Sequence, residues 1–559
     1  MPETNPVIPP VTPSHTALMF PTLTPAQVAR IAGHGWERRI AQGEILVDAG
    51  APVVPFFVVT EGQLEVIRPG ASLETMVAVH GPGQFTGEVN MLLGRRALMR
   101  TRVSQDGTVV ELPRERLLAL IQTDTEISEI LMRAFIYRRI ELIAHGIGDV
   151  VLVGSMHSAA TLRVKEFLTR NGHPFAYIDL DRDADVQALL DRFQIAAAEV
   201  PVLICGDSMV LRNPTNESIA ECLGFNASVD RTHVRDVLVV GAGPSGLAAA
   251  VYAASEGLDV LVLESNAPGG QAGASSRIEN YLGFPTGVSG QDLAGRALTQ
   301  AQKFGAEIMV AAGATALACD RKPYRVRVGD GQSIPARTVV IATGAEYRRP
   351  AIDDLARFEG TGVYYGATFL EAQLCSGEDV IIVGGGNSAG QAAVFLAQTA
   401  RHVHILVRSA GLAESMSRYL IRRIEESPAI ELKTCTEIVR LDGDVHLERV
   451  TWRDNRTGTV DARDVRHVFM MTGAVPNTSW VRDCLALDAN GFVKTGFDLT
   501  RDELTRAHWP LIRPPHLLET SLPGVFAVGD VRGGNVKRVA SAVGEGSIAI
   551  SFVHRVLTE

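Results

Sequence analysis

The 559-residue sequence predicts a multidomain chain: an α/β body of two parallel-sheet units, preceded by a β-barrel domain and a small α/β domain. Three observations predict it. At about 150 residues per domain, the length calls for three or four domains. A βαβ unit with a glycine turn occurs twice, as DVLVVGAGPSGLAAAVYAASEGLDVLVLE (236–264) and DVIIVGGGNSAGQAAVFLAQTARHVHILVR (379–408). Short alternating runs such as FFVVTEGQLEVI (56–67), punctuated by glycines at 62, 70, 81, 83 and 87, mark antiparallel strands before residue 145.

Composition narrows the class. Apolar residues make up 46% and charged residues 21%, enough for each domain to bury a core. A net charge of −10 counts against a nucleic-acid partner, which needs a broad basic face. The six cysteines (205, 222, 319, 375, 435, 484) show no C-x-x-C or zinc-ligand spacing, so neither a disulfide scaffold nor a metal site is expected. That usage fits a reducing cytoplasm. Five prolines among the first 13 residues make 1–17 a flexible Pro-rich tail, and no secretory signal is read there. The charge-free runs 237–255 and 380–400 are long enough to imitate membrane spans. Each breaks at a glycine cluster into strand, turn and helix, so no membrane partner is expected.

In chain order, 18–145 reads as the β-rich domain, with a charged helical stretch over 114–143. Residues 149–228 alternate strand DVVLVG, helix 158–171, strand FAYIDLD, helix 184–193 and strand PVLIC, a compact α/β pattern. The polar connector NASVDRTH (226–233) leads into the large third part.

The glycine turns carry specific chemistry. Gly241 permits a tight turn, Gly243 lets the backbone approach a pyrophosphate, and Gly246 lets the helix opened by Pro244 and Ser245 pack on the sheet. That helix start offers free N–H groups and a positive dipole end. Glu264, 23 positions after Gly241, ends the second strand where a carboxylate accepts ribose hydroxyls. In the second unit Gly384, Gly386 and Ala389 repeat the turn, with Asn387 and Ser388 opening the helix. Arg408 replaces the acid, and a guanidinium there suits a 2′-phosphate, which predicts NADP over NAD. The alternative is a solvated strand-end residue. Arg418, Arg422 and Arg423, on a helix predicted over 413–426, either assist Arg408 or form an exposed face. Two such units imply two dinucleotides, most economically FAD and a nicotinamide.

Residues 234–559 resemble the low-molecular-weight thioredoxin reductase-type flavoproteins. GAGPSG (241–246), GGQAG (269–273), IENYLGFP (278–285), VVIATG (339–344), GGGNSAG (384–390), TGAVPN (472–477) and LPGVFAVGDV (522–531) carry the resemblance. It implies a Rossmann-like flavoprotein with two dinucleotide-binding domains: an FAD domain from 234–352 and 476–559, an NAD(P)H domain over 353–475, and hinges at the junctions. It also implies a homodimer. Position by position, it implies Gly270, Gln271 and Asn280 beside the flavin, with Thr343 and Gly344 in the turn closing over FAD. Asp530 falls on the ribityl chain, followed by Lys537, Arg538 and Val539.

One departure is chemical. That family passes electrons through a C-x-x-C pair, and the matching stretch GVYYGATFLEAQLC (362–375) has Gly366 and Phe369 in its place. Dithiol exchange needs two thiols able to close a bond of about 2.05 Å. No catalytic thiol pair is therefore assigned. Cys375 alone remains, either pairing with another thiol or, by preference, inert and buried.

Residues 149–228 resemble the thioredoxin/glutaredoxin fold, with Pro201 where that family has a cis-proline. Its dithiol position reads Ser155-Met156-His157-Ser158, so the domain is degenerate. Cys205 and Cys222 read as packing residues, and His157 as an acid/base or an idle surface histidine. Residues 18–145 resemble a cyclic-nucleotide-binding domain through FTGEVNMLLGRRALMRTRV (85–103). The resemblance implies Gly87 and Glu88 at a ribose and Arg96 and Ala97 at a cyclic phosphate, although the spacing is short and Leu98 stands where a small residue is usual. The alternative is a degenerate barrel used for dimer or partner contacts.

The expected activity is an oxidoreductase: hydride from NADPH to FAD, then electrons to an unidentified protein or small-molecule acceptor. The alternative is a flavin-bearing NADPH and cyclic-nucleotide sensor with little turnover.

Overall fold

The computed structural model describes residues 17–68, 74–145, 150–156, 158–181, 199–205, 209–227, 229–329 and 331–559. The tail over 1–16, the helix expected at 184–193 and His157 lie outside the described residues.

Alternating apolar residues in the first domain build a five-stranded antiparallel sheet centred on the long strands Phe56–Arg68 and Arg100–Leu112. The rings of Phe56, Phe85 and Phe135 meet beneath it at 5.7–6.3 Å, joining the sheet to the C-terminal helix of the domain. The helical stretch expected as one piece over 114–143 is two helices, Arg114–Thr123 and Thr125–Ala144. Asp124 separates them because its carboxylate accepts the Ile127 N–H at 3.0 Å, an N-cap that starts a new helix.

The second domain has a four-stranded sheet in the order Ala176–Asp179, Val150–Gly154, Val202–Cys205, Met209–Arg212. Its first pair is parallel and the other two antiparallel. Helix Ala159–Arg170, capped by Ser158, packs on it, and the Val200–Pro201 peptide is cis. The domain docks on the third part through Asn266 and Val310. Asn171 donates to Asn266 O at 3.3 Å, Asn216 to Asn266 Oδ1 at 3.0 Å, and Asn226 exchanges two bonds with the Val310 backbone.

The third part contains one mixed sheet and one parallel sheet. The seven-stranded sheet is built on the parallel strands Arg235–Val240, Val260–Leu263, Ser333–Ile341 and Val525–Ala527, apolar on both faces: helices Pro244–Ser255 and Val539–Thr558 cover one, and the other packs with the antiparallel strands Ala314–Ala318 and Tyr324–Val328. The last strand is drawn from almost 200 residues further along the chain, so this unit is assembled from two segments. Between them sits a five-stranded parallel sheet in the order Val363–Tyr364, His467–Met470, Asp379–Val383, His402–Leu406, Ile430–Lys433. Ala345–Tyr347 and Ala474–Pro476 pair antiparallel where the chain enters and leaves this insertion.

Four of the six cysteines are paired, contrary to the expectation from their spacing. Cys205 is disulfide-bonded to Cys222, and Cys319 to Cys484, rather than packing as thiols. Linear spacing concealed both pairs: strand Val202–Cys205 and helix Asn216–Cys222 end against each other, and the second pair spans 165 residues. Cys375 and Cys435 are free, the first buried. Thiol titration without reductant is expected to find two thiols in the unfolded chain and six after reduction. In the native chain only Cys435 should react. Six thiols without reductant would exclude both pairs.

Candidate functional site

After strand Arg235–Val240 the chain turns at Gly241, whose φ is +105°. A Cβ there would lie 2.3 Å from Ala342 O. Gly246, one helical turn on, leaves no room either: its Cβ would stand 1.8 Å from Gly241 O. Helix Pro244–Ser255 can start this close to the strand only because both positions lack side chains. Its N-cap, Gly243, supplies no side-chain acceptor, so the first helical N–H groups stay available.

Those N–H groups face a cleft of about 1020 Å³. Pro244, Ser245, Glu264, Gly270, Gln271 and Asn280 line it with Gly241 and Gly243. Gly246 sits behind them as packing. Glu264 accepts the N–H groups of Ala242 at 2.8 Å and Asn266 at 2.9 Å, which holds its carboxylate against the turn. Burial pushes its pKa above the ordinary range, opposed by those bonds and by the charge of Arg170. Gly270, in the left-handed region, approaches so closely that its Cβ would meet Gly243 Cα at 3.1 Å. Gln271 is oriented by donating to Ala345 O.

Distant segments complete the wall. Thr343 and Asn477 bind each other's backbones at 2.8 and 3.0 Å, fastening the Thr343–Gly344 turn to the second segment of the unit. Asp530, on the short turn Gly529–Val531, lines the cleft with Lys537, Arg538 and Val539, which open the last helix. Burial raises the Asp530 pKa, partly offset by Lys537.

The second turn reaches the same cleft from the inserted sheet. Gly384 (φ +144°) packs against Met471 O, Ala389 is buried behind Gly386, and Asn387 and Ser388 line the cavity. Ser415 donates to Gly385 O and Ser417 N–H to Asn387 Oδ1, both at 2.7 Å, so the loop after Arg408 folds over this turn. Arg408 lies just beyond strand His402–Leu406, exposed and without an ion pair among the described residues. The helix expected over 413–426 starts later, at Arg418, because Ser417 ends the loop. Arg418 and Arg422 are exposed on it, whereas Arg423 is paired with Glu279 of the other unit at 2.5 Å.

Among the described residues no cysteine lines the cleft. Where the resemblance places a dithiol, Gly366, Thr368 and Glu371 form the wall, and Phe369 begins helix Phe369–Leu374. Cys375 is fully buried beyond that helix and donates to Ala372 O at 3.7 Å. Burial, with Glu378 and Glu371 nearby, pushes its thiol up to about 12, so it is neither accessible nor nucleophilic. Arg163, Glu166 and Arg170, from helix Ala159–Arg170 of the second domain, also line the cleft. No local signal predicted them, because Arg170 meets Gly270 across 100 residues.

The first-domain residues are not gathered around one open pocket. Gly87 O accepts from Arg138, and Glu88 pairs with Arg139 at 3.4 Å. Ala97 is pinned in the barrel by exchanging backbone bonds with Gly50 and Ala51, and Arg96 donates to Cys222 O of the second domain at 3.5 Å. Adjacent Arg95 is buried with its guanidinium 4.0 Å over the Phe225 ring. The cavity at Arg96 is about 120 Å³ and Glu88 does not line it, whereas ligand pockets usually exceed about 300 Å³. Metal-ligating types meet at His402, His404 and Glu431, where Lys433 takes a Glu431 oxygen at 2.7 Å.

Residues 235–546 match the pyridine nucleotide-disulphide oxidoreductase family. The chain belongs to that family. Residues 37–124 match the cyclic nucleotide-binding domain. Thioredoxin reductase of Bacillus subtilis is 31% identical over 327 residues, which are 58% of this chain and 96% of that protein. That of Mycolicibacterium smegmatis is 32% identical over 326 residues, 58% of this chain and 97% of the relative. Among solved structures, the thioredoxin reductase of T. acidophilum superposes with a TM-score of 0.52 at 27% identity, covering 59% of this chain and all of that one. The Lactococcus lactis enzyme gives 0.52 at 25%, over 58% and 99% of the two chains. The C-terminal part is thus a thioredoxin reductase-like oxidoreductase, and membership of the pyridine nucleotide-disulphide oxidoreductase family supports FAD and NADP(H). The cleft fits a dinucleotide on its own features: uncapped helical N–H groups, glycines where a Cβ would intrude, and a buried carboxylate beyond the turn. Among the described residues no helix is long and apolar enough to cross a membrane.

Proposed function

We propose that the protein is an NADPH-dependent FAD oxidoreductase whose acceptor is not reached through a C-x-x-C pair at the flavin. One observation carries this reading: the helix starts after both glycine turns reach one continuous cleft, Pro244 and Ser245 on one side and Asn387 and Ser388 on the other, and among the described residues no thiol stands on its wall. The flavin supplies the capacity to take a hydride equivalent from a nicotinamide and release electrons onward. The chain holds and orients. Gly241, Gly243 and the helix start receive the FAD pyrophosphate, and Glu264 its adenosine ribose. Gln271, Asn280 and the Thr343–Gly344 turn flank the isoalloxazine, Asp530 the ribityl chain, and Lys537, Arg538 and Val539 close that end. Gly384, Gly386, Asn387 and Ser388 receive NADPH, with Arg408 at its 2′-phosphate. The two-stranded connection at Ala345–Tyr347 and Ala474–Pro476 serves as the hinge between these units.

The chain works as a homodimer in this reading, and the second domain is a thioredoxin-like fold without its dithiol. The cyclic nucleotide-binding match favours a regulatory input as well. A nucleotide at Arg96 has to displace the Cys222–Phe225 segment, so binding there acts on the second domain and through it on the flavin cleft. Anaerobic mixing of the FAD-loaded protein with NADPH tests the central reading. The visible flavin band is expected to bleach and to return when an acceptor is added. A band that persists excludes the enzyme. Bleaching that no acceptor reverses points to the sensor.

A further inference from the structure

Resting on the FAD reading, we propose that Arg170, from the second domain, binds the adenosine-pyrophosphate half of the flavin dinucleotide. It lies outside the matched residues 235–546 and outside the glycine turns. Its side chain is 15% exposed, and its Nη2 donates to Gly270 O at 2.8 Å, beside the close approach of Gly270 to Gly243. Its Nη1 contacts Glu166 at 3.2 Å. Its Nε is enclosed by protein, so where the side chain borders the cleft any contact falls on its two Nη groups. Its charge is felt by Glu264, at the proposed ribose site.

Each Nη group has given one of its two hydrogens, to Glu166 and to Gly270 O, and a part-buried guanidinium is stabilised when further acceptors take the others. Phosphate and ribose oxygens are such acceptors, and a planar fork suits them. Arg163 on the same helix is turned to its own domain, donating to Asn216 Oδ1 and Pro214 O, whereas Arg170 donates to the flavin-side loop at Gly270. The second domain therefore completes the flavin site instead of merely abutting it.

The test uses the full chain, stripped of flavin and reconstituted. Arg170→Gln is expected to raise the Kd for FAD by about 10- to 100-fold and to weaken ADP, a probe of the same half, in proportion. Arg170→Lys should recover part of the loss, and riboflavin, which lacks that half, should bind all variants alike. Gln291→Ala removes a docking bond to Thr169 O without touching the charge, and should leave FAD affinity within about twofold of the parent. Unchanged FAD affinity in Arg170→Gln overturns the proposal, as does an equal loss in Gln291→Ala, which would reduce Arg170 to a docking contact. A parent chain that takes up no FAD overturns the flavoprotein reading itself.

Discussion

Gly246→Ala is expected to give a colourless protein, with FAD affinity lowered by at least about 100-fold. The added methyl would lie 1.8 Å from Gly241 O and 3.2 Å from the Ala342 side chain, so strand and helix must separate. The helix cannot slide away freely. Gly546 of the final helix presses its other side, where a Cβ would meet Ser245 O at 2.2 Å. Overpacking of this kind costs about 1–3 kcal/mol in general, and here the strain falls on the N–H groups proposed to hold the pyrophosphate. Gly544→Ala is the control, since its Cβ would have nothing within 4 Å. Flavin content after purification decides the matter: a yellow Gly246→Ala protein would show that the turn is not the flavin site.

Arg408→Ala is expected to raise KM for NADPH by about 10- to 100-fold and that for NADH by less than about threefold. The side chain is exposed and carries no ion pair among the described residues, so its removal leaves nothing unpaired in the free protein. The loss should therefore appear only with a nucleotide bearing a 2′-phosphate, and should shrink at high salt. Equal losses for both nucleotides would remove Arg408 from the cofactor site. Arg423 makes a useful contrast, because its pairing with Glu279 links the two units and its substitution should alter their relative motion, not nucleotide choice.

Much of the cleft was legible because it is local. A glycine turn, the helix after it and the residue ending the next strand fall within 24 positions, and the steric demands act between near neighbours. What escaped was non-local. Arg170 reaches Gly270 from another domain, and Cys222 and Phe225 cover the two arginines of the first domain. Cys319 and Cys484 are joined across 165 residues. No periodicity or motif registers contacts made by docking one folded unit on another. The break at Asp124 is different, since an aspartate ahead of Thr125 and Glu126 is a capping signal. The apolar periodicity continuing on both sides hid it.

The central claim is that electrons reach the flavin and find no thiol pair beside it. An anaerobic NADPH titration of the FAD-loaded chain, followed through the flavin band, tests this most directly. A flavin acting alone takes up two electrons, so bleaching should be complete at about one NADPH per flavin. An endpoint near two equivalents would mean a disulfide in electronic contact with the flavin, and would contradict the account.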